Sequence, residues 1–576
     1  MNITICPKRQ SVLDEAGHCM VTGGPGSGKT TLALLKAAKR IDNGLNPGQQ
    51  VLFLSFSRAA VARIADAAKQ QVSYEKQTAL SIQTFHSFFW QILQGYSYLL
   101  GLPRQVKILL AHDEKAFSNG IDRNSPLWSK WDKTRNKMAY EQGLICFDLF
   151  APLVSSLFKR SNSICSRIAR RYPLILVDEA QDTNDQQWDI IRSLSHYSQI
   201  VCFADKDQMI YDFLPGVGPA RVSQIQEILS PLIVSLGSEN NRSPSTEITT
   251  FARDIFVNKI GSGSYKGVSR LHFGPSADQR DNAIRKSIPI LIKKIIAETG
   301  KKPESIALIA SYSRGVAVIS SALQLEKAIP HRVLFDEAFT VLSSRAAAFL
   351  LEPKGQQSVE EDTATLLEII GLAFRAKGKS SSLKKGTKCV LYAGRCRDEK
   401  IPNYKVALAA KSLVLKAQQR PLTGDPGRDW LTVKNEMKQT GESSFDEIAK
   451  TLDYLVAFSR GRHIREGLSE TWMQHSAYVG AREIINMALT QEQLYSDTEE
   501  SKGIYVMNTH KCKGKQFDGI ILYRQQYHSP FVWYGELSPY PFSRRLLHMA
   551  ITRAKYHVLI LEEVFSQCPI CAPYKL

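Results

Sequence analysis

The sequence predicts an α/β fold of more than one domain, and three observations lead there. A short apolar segment, Cys19 to Thr22, runs into a glycine-rich turn, Gly23 to Thr30. A helix-like pattern of Leu32, Leu34, Leu35, Ala37 and Ala38 follows it. A second apolar run, Leu174 to Val177, ends on the adjacent acids Asp178 and Glu179. Two more apolar runs, Ile306 to Ile309 and Ile504 to Met507, read as strands of a further sheet. Continuous apolar runs of this length suit strands covered by helices on both faces, as in parallel sheets. At 576 residues the chain is also too long for one ordinary core.

The composition narrows the setting. Hydrophobic residues at 43% and charged residues at 22% fit a globular protein in water. No apolar run approaches the roughly 18 residues that a membrane span needs. Ile288 to Ile296 comes nearest, and Lys293 and Lys294 interrupt it. The first residues lack a basic segment followed by an apolar one, so no signal peptide and no membrane partner are expected. Ten scattered cysteines fit a reducing cytoplasm better than a disulfide framework. Cys568-Pro-Ile-Cys571 has the spacing of half a zinc site, but no second pair at like spacing exists, so two thiols are expected.

The net charge of +19 calls for a polyanionic partner, and nucleic acid is the natural one. From Phe374 to Arg420 thirteen Lys and Arg face only Asp398 and Glu399, which is over half of that net charge. Lys377 to Lys388 reads as a solvated, partly disordered surface. The concentration of charge favours contact with phosphate backbone through Lys384, Lys385 and Lys388.

The glycine-rich turn has strand, loop and helix in the order that phosphate binding requires. Gly23, Gly24, Gly26 and Gly28 let backbone amides turn towards phosphates, Pro25 and Ser27 complete the binding loop, and the helix N-terminus adds partial positive charge. Lys29 is placed to reach the β- and γ-phosphates, and the Thr30 hydroxyl to ligate Mg²⁺. Asp178 follows a strand at its carboxyl end, where open α/β sheets bind ligands. It is the candidate for holding Mg²⁺, and Glu179 the candidate for orienting and deprotonating the attacking water. These residues imply binding and hydrolysis of a nucleoside triphosphate, with ATP and Mg²⁺ as the expected ligands.

Further stretches fall in order along the chain. They are Gln10, thirteen residues before Gly23, then Phe53 to Ala60 (FLSFSRAA) and Thr84 to Phe88 (TFHSF). Asp178 to Asp182 (DEAQD), Ala204 to Phe213 (ADKDQMIYDF) and Asn240 to Ser243 (NNRS) come next. Thr509 to Phe517 (THKCKGKQF) and Arg545 to Lys555 (RLLHMAITRAK) complete the series. In this order the chain resembles a superfamily 1 helicase of the UvrD/Rep type.

That resemblance implies two RecA-like P-loop NTPase motor domains, each with a mainly helical inserted subdomain. The first motor domain would comprise 1–87 and 160–218, with 88–159 inserted. The second would comprise 219–345 and 501–576, with a basic insertion at 346–500. Phe147-Asp148-Leu149 resembles the family's F-D-D-L element. By resemblance Gln10 reads adenine, Gln181 and Gln208 sense the γ-phosphate, and Gln516 lies near the sugar. Arg242 and Arg553 become arginine fingers, a role suited to a planar guanidinium. Phe56, Thr84, Phe85, His86, Phe213, Thr509 and His510 become contacts to single-stranded DNA. Asn241, Gln516, Leu214 and Ala204 stand where the family carries Tyr, Glu, Arg and Gly, which touches base holding and coupling.

The expected activity is therefore ATP-driven movement along single-stranded DNA, 3′ to 5′ by resemblance, with unwinding of duplex. The rival is an ATP-gated regulatory subunit that senses DNA for a partner such as a nuclease. Compact relatives in prokaryotic antiphage defence, of the Gabija type, motivate it by analogy. An RNA helicase is a third class.

Overall fold

The structure, a computed structural model, describes residues 5–576 except 124, 206–215, 219, 238–244, 262, 326, 335–337, 399, 457–458 and 495–501. The chain separates into two compact units. One comprises Met1–Ile92, Ala151–Phe335 and Tyr495–Leu576, and the other Leu93–Phe150 and Asp336–Leu494.

The first unit holds two six-stranded sheets. Strands β1 (Cys19–Thr22), β2 (Val51–Ser55), β3 (Leu80–Thr84), β4 (Leu174–Val177), β5 (Gln199–Ala204) and β6 (Leu232–Ser235) form one, in the order β3-β2-β4-β5-β1-β6. Every neighbouring pair is parallel. β2 and β4 are buried along their whole length, as their unbroken apolar sequences require. Val21, Leu34, Phe53, Leu176 and Phe203 share the core between this sheet and its helices. β6 lies past the expected boundary at 218 and still pairs with β1, Cys19 opposite Leu232. Its four residues, Leu-Ile-Val-Ser, are too short to announce which sheet they join.

The other sheet contains β7 (Val268–Phe273), β8 (Ser305–Ala310), β9 (Arg332–Leu334), β10 (Gly503–Asn508), β11 (Phe517–Arg524) and β12 (Ala554–Glu563). Their order is β9-β10-β8-β11-β12-β7, again with parallel neighbours. Ile309, Met507, Ile520, Leu522 and Ile560 build its core. Sequence-distant strands β8 and β10 pair in full register, Ser305 opposite Gly503. Cys568 and Cys571 are both fully buried here, and their thiols hydrogen-bond to one another. Among the described residues no group of three metal-ligating side chains occurs. Nor is any described helix long and apolar enough to cross a membrane.

The second unit is helical apart from a two-stranded parallel sheet, Lys107–Leu109 with Leu144–Cys146. It draws both insertions into one core. Leu110 and Ala116 from the first join Phe339, Phe374, Leu413, Val433 and Phe445 from the second. Arg345 donates to Asp113 Oδ2 at 2.8 Å, tying the two stretches together. Most of this core comes from the second stretch, and the first adds Leu110 and Ala116 to it. Phe147-Asp148-Leu149 has a structural place: Asp148 accepts from Arg135 at 3.0 Å, and Phe147 packs on Phe150. The Lys377 to Lys388 stretch corrects the expectation of disorder, since Ser380–Arg397 is one continuous helix. Ser382, Gly386 and Cys389 are buried along it at helical spacing.

Candidate functional site

The site is assembled at the carboxyl end of the first sheet and completed from the second. β1 delivers the chain to the glycine-rich turn, and the helix Lys29–Asp42 starts on Gly28 in the left-handed region, φ 88°. A side chain there would be strained, so glycine is required. Gly23 sits in a tight place: a Cβ would lie 2.6 Å from Ser27 Oγ and 3.2 Å from the Cβ atoms of Ser27 and Leu236, so the Ser27 side chain would have to turn. Thr30 sits half-buried in the helix's first turn. Lys29 Nζ donates to the carbonyls of Gly23 and Gly24, the latter at 3.0 Å, and approaches Asp205 Oδ2 at 3.4 Å. Its ammonium thus rests on its own loop.

β4 delivers the acids. Asp178 is buried and accepts from Ser55 Oγ at 3.3 Å. Burial, with the neighbouring Glu179 charge second, pushes its carboxyl up to about 6. Glu179 holds φ 52°, an uncommon backbone state for a side chain of its size and a known mark of functional sites. Burial would raise its pKa, but Lys513, Lys29, the Gln181 hydrogen bond and Arg553 outweigh it, and Glu179 stays ionised. Gln181 joins three parts. Its Nε2 donates to Glu179 Oε2 at 2.6 Å and to Asp182 Oδ2 at 3.3 Å. Its Oε1 accepts the Asp205 N–H at 3.1 Å, at the end of β5. Gln181 thus links the acids to the end of β5.

The second sheet closes the site. Lys513 Nζ lies 2.5 Å from Asp182 Oδ2, with the two side chains 6% and 0% exposed. Gly514 passes so near the first sheet that a Cβ would sit 2.5 Å from Ser57 Oγ. Arg553 is buried, donates to Met549 O at 3.0 Å and Thr552 Oγ1 at 3.1 Å, and faces the charges of Glu179 and Asp205. Burial is the first cause that lowers its pKa, opposed by the nearby charges of Cys512 and Glu179. The arrangement places one guanidinium and two ammoniums around an ionised Glu and a buried Asp.

Other expected residues fall less simply. Gln10 is exposed and its amide donates to Asp14 Oδ1 at 2.8 Å, so it does not meet the phosphate loop. Arg9 does instead, donating to Ser27 O at 3.2 Å. Gln516 lines a cavity of about 510 Å³ with Arg63 and Lys515. Gln208, Phe213, Leu214, Asn241 and Arg242 lie outside the described residues. Phe85 is corrected as a direct DNA contact: it is 1% exposed, and its ring supports Phe56 at 5.0 Å. Thr84 is likewise buried, capping the next helix by accepting the Ser87 N–H at 3.0 Å. Phe56 and His86 remain partly exposed. Thr509 donates to Ala310 O at 3.3 Å, while His510 is half-buried and its pKa is lowered by burial. In the second unit Lys384 and Lys388 are exposed, whereas Lys385 approaches Glu447 at 3.5 Å.

Sequence reading missed Arg63, which faces Asp178 and Arg553, and Lys513. The K-C-K-G-K run signals that some lysine there matters, but cannot say which one turns inward.

The chain is similar in sequence to known proteins. The family model "UvrD/REP helicase N-terminal domain" matches residues 7–142 and 122–226. Residues 7–226 of the chain are thus similar to the UvrD/Rep helicase family. DNA helicase II of Haemophilus influenzae is 26% identical over 298 residues, 44% of this chain and 40% of that protein. ATP-dependent DNA helicase Rep of Buchnera aphidicola is 23% identical, across 64% of this chain and 63% of Rep. ATP-dependent DNA helicase PcrA of Staphylococcus aureus is 21% identical, across 95% of this chain and 81% of PcrA. The chain thus spans under two thirds of the first two relatives and most of the third. The family match falls on the phosphate loop and the acids, where the first sheet supplies the chemistry.

Proposed function

We propose that this chain is an ATP-hydrolysing motor that moves on single-stranded DNA and separates duplex. The observation that carries it is the divided site: Lys29, Asp178 and Glu179 on the first sheet are completed by Lys513 and Arg553 from the second. A site split this way links the state of the nucleotide to the spacing of two sheets.

Each residue has a step. Lys29 exchanges its loop carbonyls for phosphate oxygens. Glu179, held ionised and oriented by Gln181, positions a water and takes its proton. Arg553 turns from Met549 O towards the transferring phosphoryl group, where such fingers are worth about 10³ to 10⁵ in rate. Thr30 and Asp178 offer hydroxyl and carboxylate oxygens, hard donors that fit Mg²⁺ with phosphates and waters completing its shell. That ion would offset charge on the β- and γ-oxygens. Loss of the γ-phosphate is passed through Gln181 to the Asp205 N–H and on towards Gln208. Adenine recognition by Gln10 would require its amide to leave Asp14.

The relatives' names support DNA as the track, and 3′ to 5′ rests on the motif resemblance alone. The test is ATP turnover with and without single-stranded DNA, beside strand displacement on 3′- and 5′-tailed duplexes. Turnover absent in the wild type, or equal in Lys29→Ala, would sink the motor. A second reading is an ATP-gated DNA sensor within a nuclease or antiphage complex. It is favoured by the basic helices, where Lys377 and Lys385 pair with Glu447, Arg397 with Glu361 and Glu368, and Arg420 with Glu436. Those pairs leave less charge for gripping duplex. DNA-stimulated turnover without displacement on either tail would favour it.

A further inference from the structure

The cavity of about 510 Å³ that Gln516 lines takes no part in the steps above. One wall is the helix Arg58–Gln71 of the first sheet, through Arg63 and Asp66. The other wall is built at the amino ends of β8, β10, β11 and β12, which are neighbours in the second sheet. Among the described residues that line it, none belongs to the phosphate loop Gly23 to Thr30. It is a space beside the nucleotide's, not the same one.

Its lining is cationic. Arg63, Lys301, Lys302, Lys502, Lys515 and Lys555 face three acids, Asp66, Glu304 and Asp518. Those acids are already engaged. Asp518 accepts from Lys555 Nζ at 3.2 Å and from the Glu304 and Ser305 N–H groups at 2.7 and 3.1 Å. Asp66 lies 3.5 Å from Lys69, and Glu304 3.9 Å from Lys502. Lys301 and Lys302 follow the carboxyl end of the helix Ala277–Thr299, where cations are ordinary. Arg63 and Lys515 lack that reason. Lys515 is half-buried, and burial with the like charge of Arg58 lowers its pKa to about 8. Cations gathered where solvent screens them little repel one another until an anion joins them.

The inner end of the cavity reaches the chemistry. Arg63 lines it and also acts through its charge on Asp178 and Arg553. Gly514, Lys515 and Gln516 line it and directly follow Lys513, which meets Asp182. At the outer end Lys301, Lys302 and Lys502 are exposed. In an in-line displacement the phosphoryl group moves away from the ADP oxygen and towards the attacking water. Glu179 holds that water in the motor reading, so the product is left on the side of the acids.

We propose that this cavity is a receiving site for inorganic phosphate, which takes the product from the acids and passes it to solvent while ADP still fills the loop. This rests on the motor reading above and gives its product a way out. Arg63 and Lys515 hold the ion at the inner end, and Lys301 and Lys302 draw it outward. Guanidinium and ammonium groups suit a small oxyanion and read nothing else of a nucleotide.

The test reads inorganic phosphate by the width of its phosphorus NMR line, with the full chain at fixed ionic strength. Lys29→Ala removes the loop's own ammonium, and this variant should still broaden the line. Adding Lys515→Gln to it should weaken phosphate binding about ten- to a hundredfold, the worth of a hydrogen bond to a charged group. Adding Lys301→Gln with Lys302→Gln instead should weaken it in the same direction, at exposed positions whose change does not threaten the fold. No broadening with Lys29→Ala, or undiminished broadening in both combined variants, would overturn the proposal. In the chain with Lys29 intact, rapid quench times ATP cleavage and a fluorescent phosphate sensor times release. Lys301→Gln with Lys302→Gln should lengthen the lag of release behind cleavage about tenfold, and a lag equal to that of the wild type would also overturn it. A wild type that cleaves no ATP would take down the motor reading; the line widths then still decide whether the cavity holds phosphate.

Discussion

Replacing Lys513 by Met tests whether the two sheets are joined through the acidic segment Asp178 to Asp182. The ammonium and Asp182 are 2.5 Å apart and 6% and 0% exposed, so solvent barely screens them. At a pH high enough to keep Asp182 ionised, removing one member of a buried pair leaves an uncompensated charge and costs about 3–5 kcal/mol. The loss is local, because Lys513 ties the turn Thr509–Cys512 and its continuation to the first sheet. Hydrogen exchange is therefore the right readout: amides across 511–515 should exchange about two to three and a half orders of magnitude faster, at 1.4 kcal/mol per tenfold. The double variant Lys513→Met with Asp182→Asn should recover most of that protection, since no charge is then buried alone. Unchanged exchange in the folded single variant would refute the reasoning. Equal acceleration in single and double variants would show that packing, not charge, holds the turn.

The same single variant should be less impaired in acid. Asp182 is pushed up to about 7 by burial even with Lys513 lowering it, so its charged form is the disfavoured one. A raised acid pKa weakens the fold increasingly from the unfolded carboxyl value of about 4 up to the folded one; losing Lys513 raises the Asp182 pKa further, so the variant's extra defect lies above about pH 7 and should shrink as pH falls from 8 to about 6. Glu179→Gln should lower turnover by about 10² to 10⁴ while fluorescent ATP still binds; lost binding would remove Glu179 from the role of base. Gly23→Ala should weaken ATP binding at least about tenfold by equilibrium titration, because its methyl would meet Ser27 Oγ at 2.6 Å; unchanged affinity would show that the loop yields. Lys384→Gln with Lys388→Gln should flatten the salt slope of duplex binding by about 1.8. Lys385 is better left alone, given Glu447; an unchanged slope would return these lysines to ordinary surface.

Much of the first half of the site was legible. The turn from Gly23 to Thr30 and the run Leu174 to Val177 are local patterns, and β1, β4 and the helix Lys29–Asp42 fall where those patterns place them. Aromatics were harder. Phe56 and Phe85 read alike in sequence, but only burial shows that Phe85 supports and Phe56 presents. Gln10 and Arg9 are neighbours on one helix, and a turn of about 100° between them decides which faces the loop.

By itself the sequence determined the local chemistry: a phosphate-cradling turn, acids at a strand end, and the motif order of a UvrD/Rep-like chain. Those depend on residues adjacent in the chain, whose backbone preferences act whatever surrounds them. Only the tertiary structure decided which lysine of K-C-K-G-K meets Asp182, that β6 closes the first sheet, and that both insertions share one core. These are pairings across hundreds of residues, set by burial of charge and apolar surface that no local pattern records.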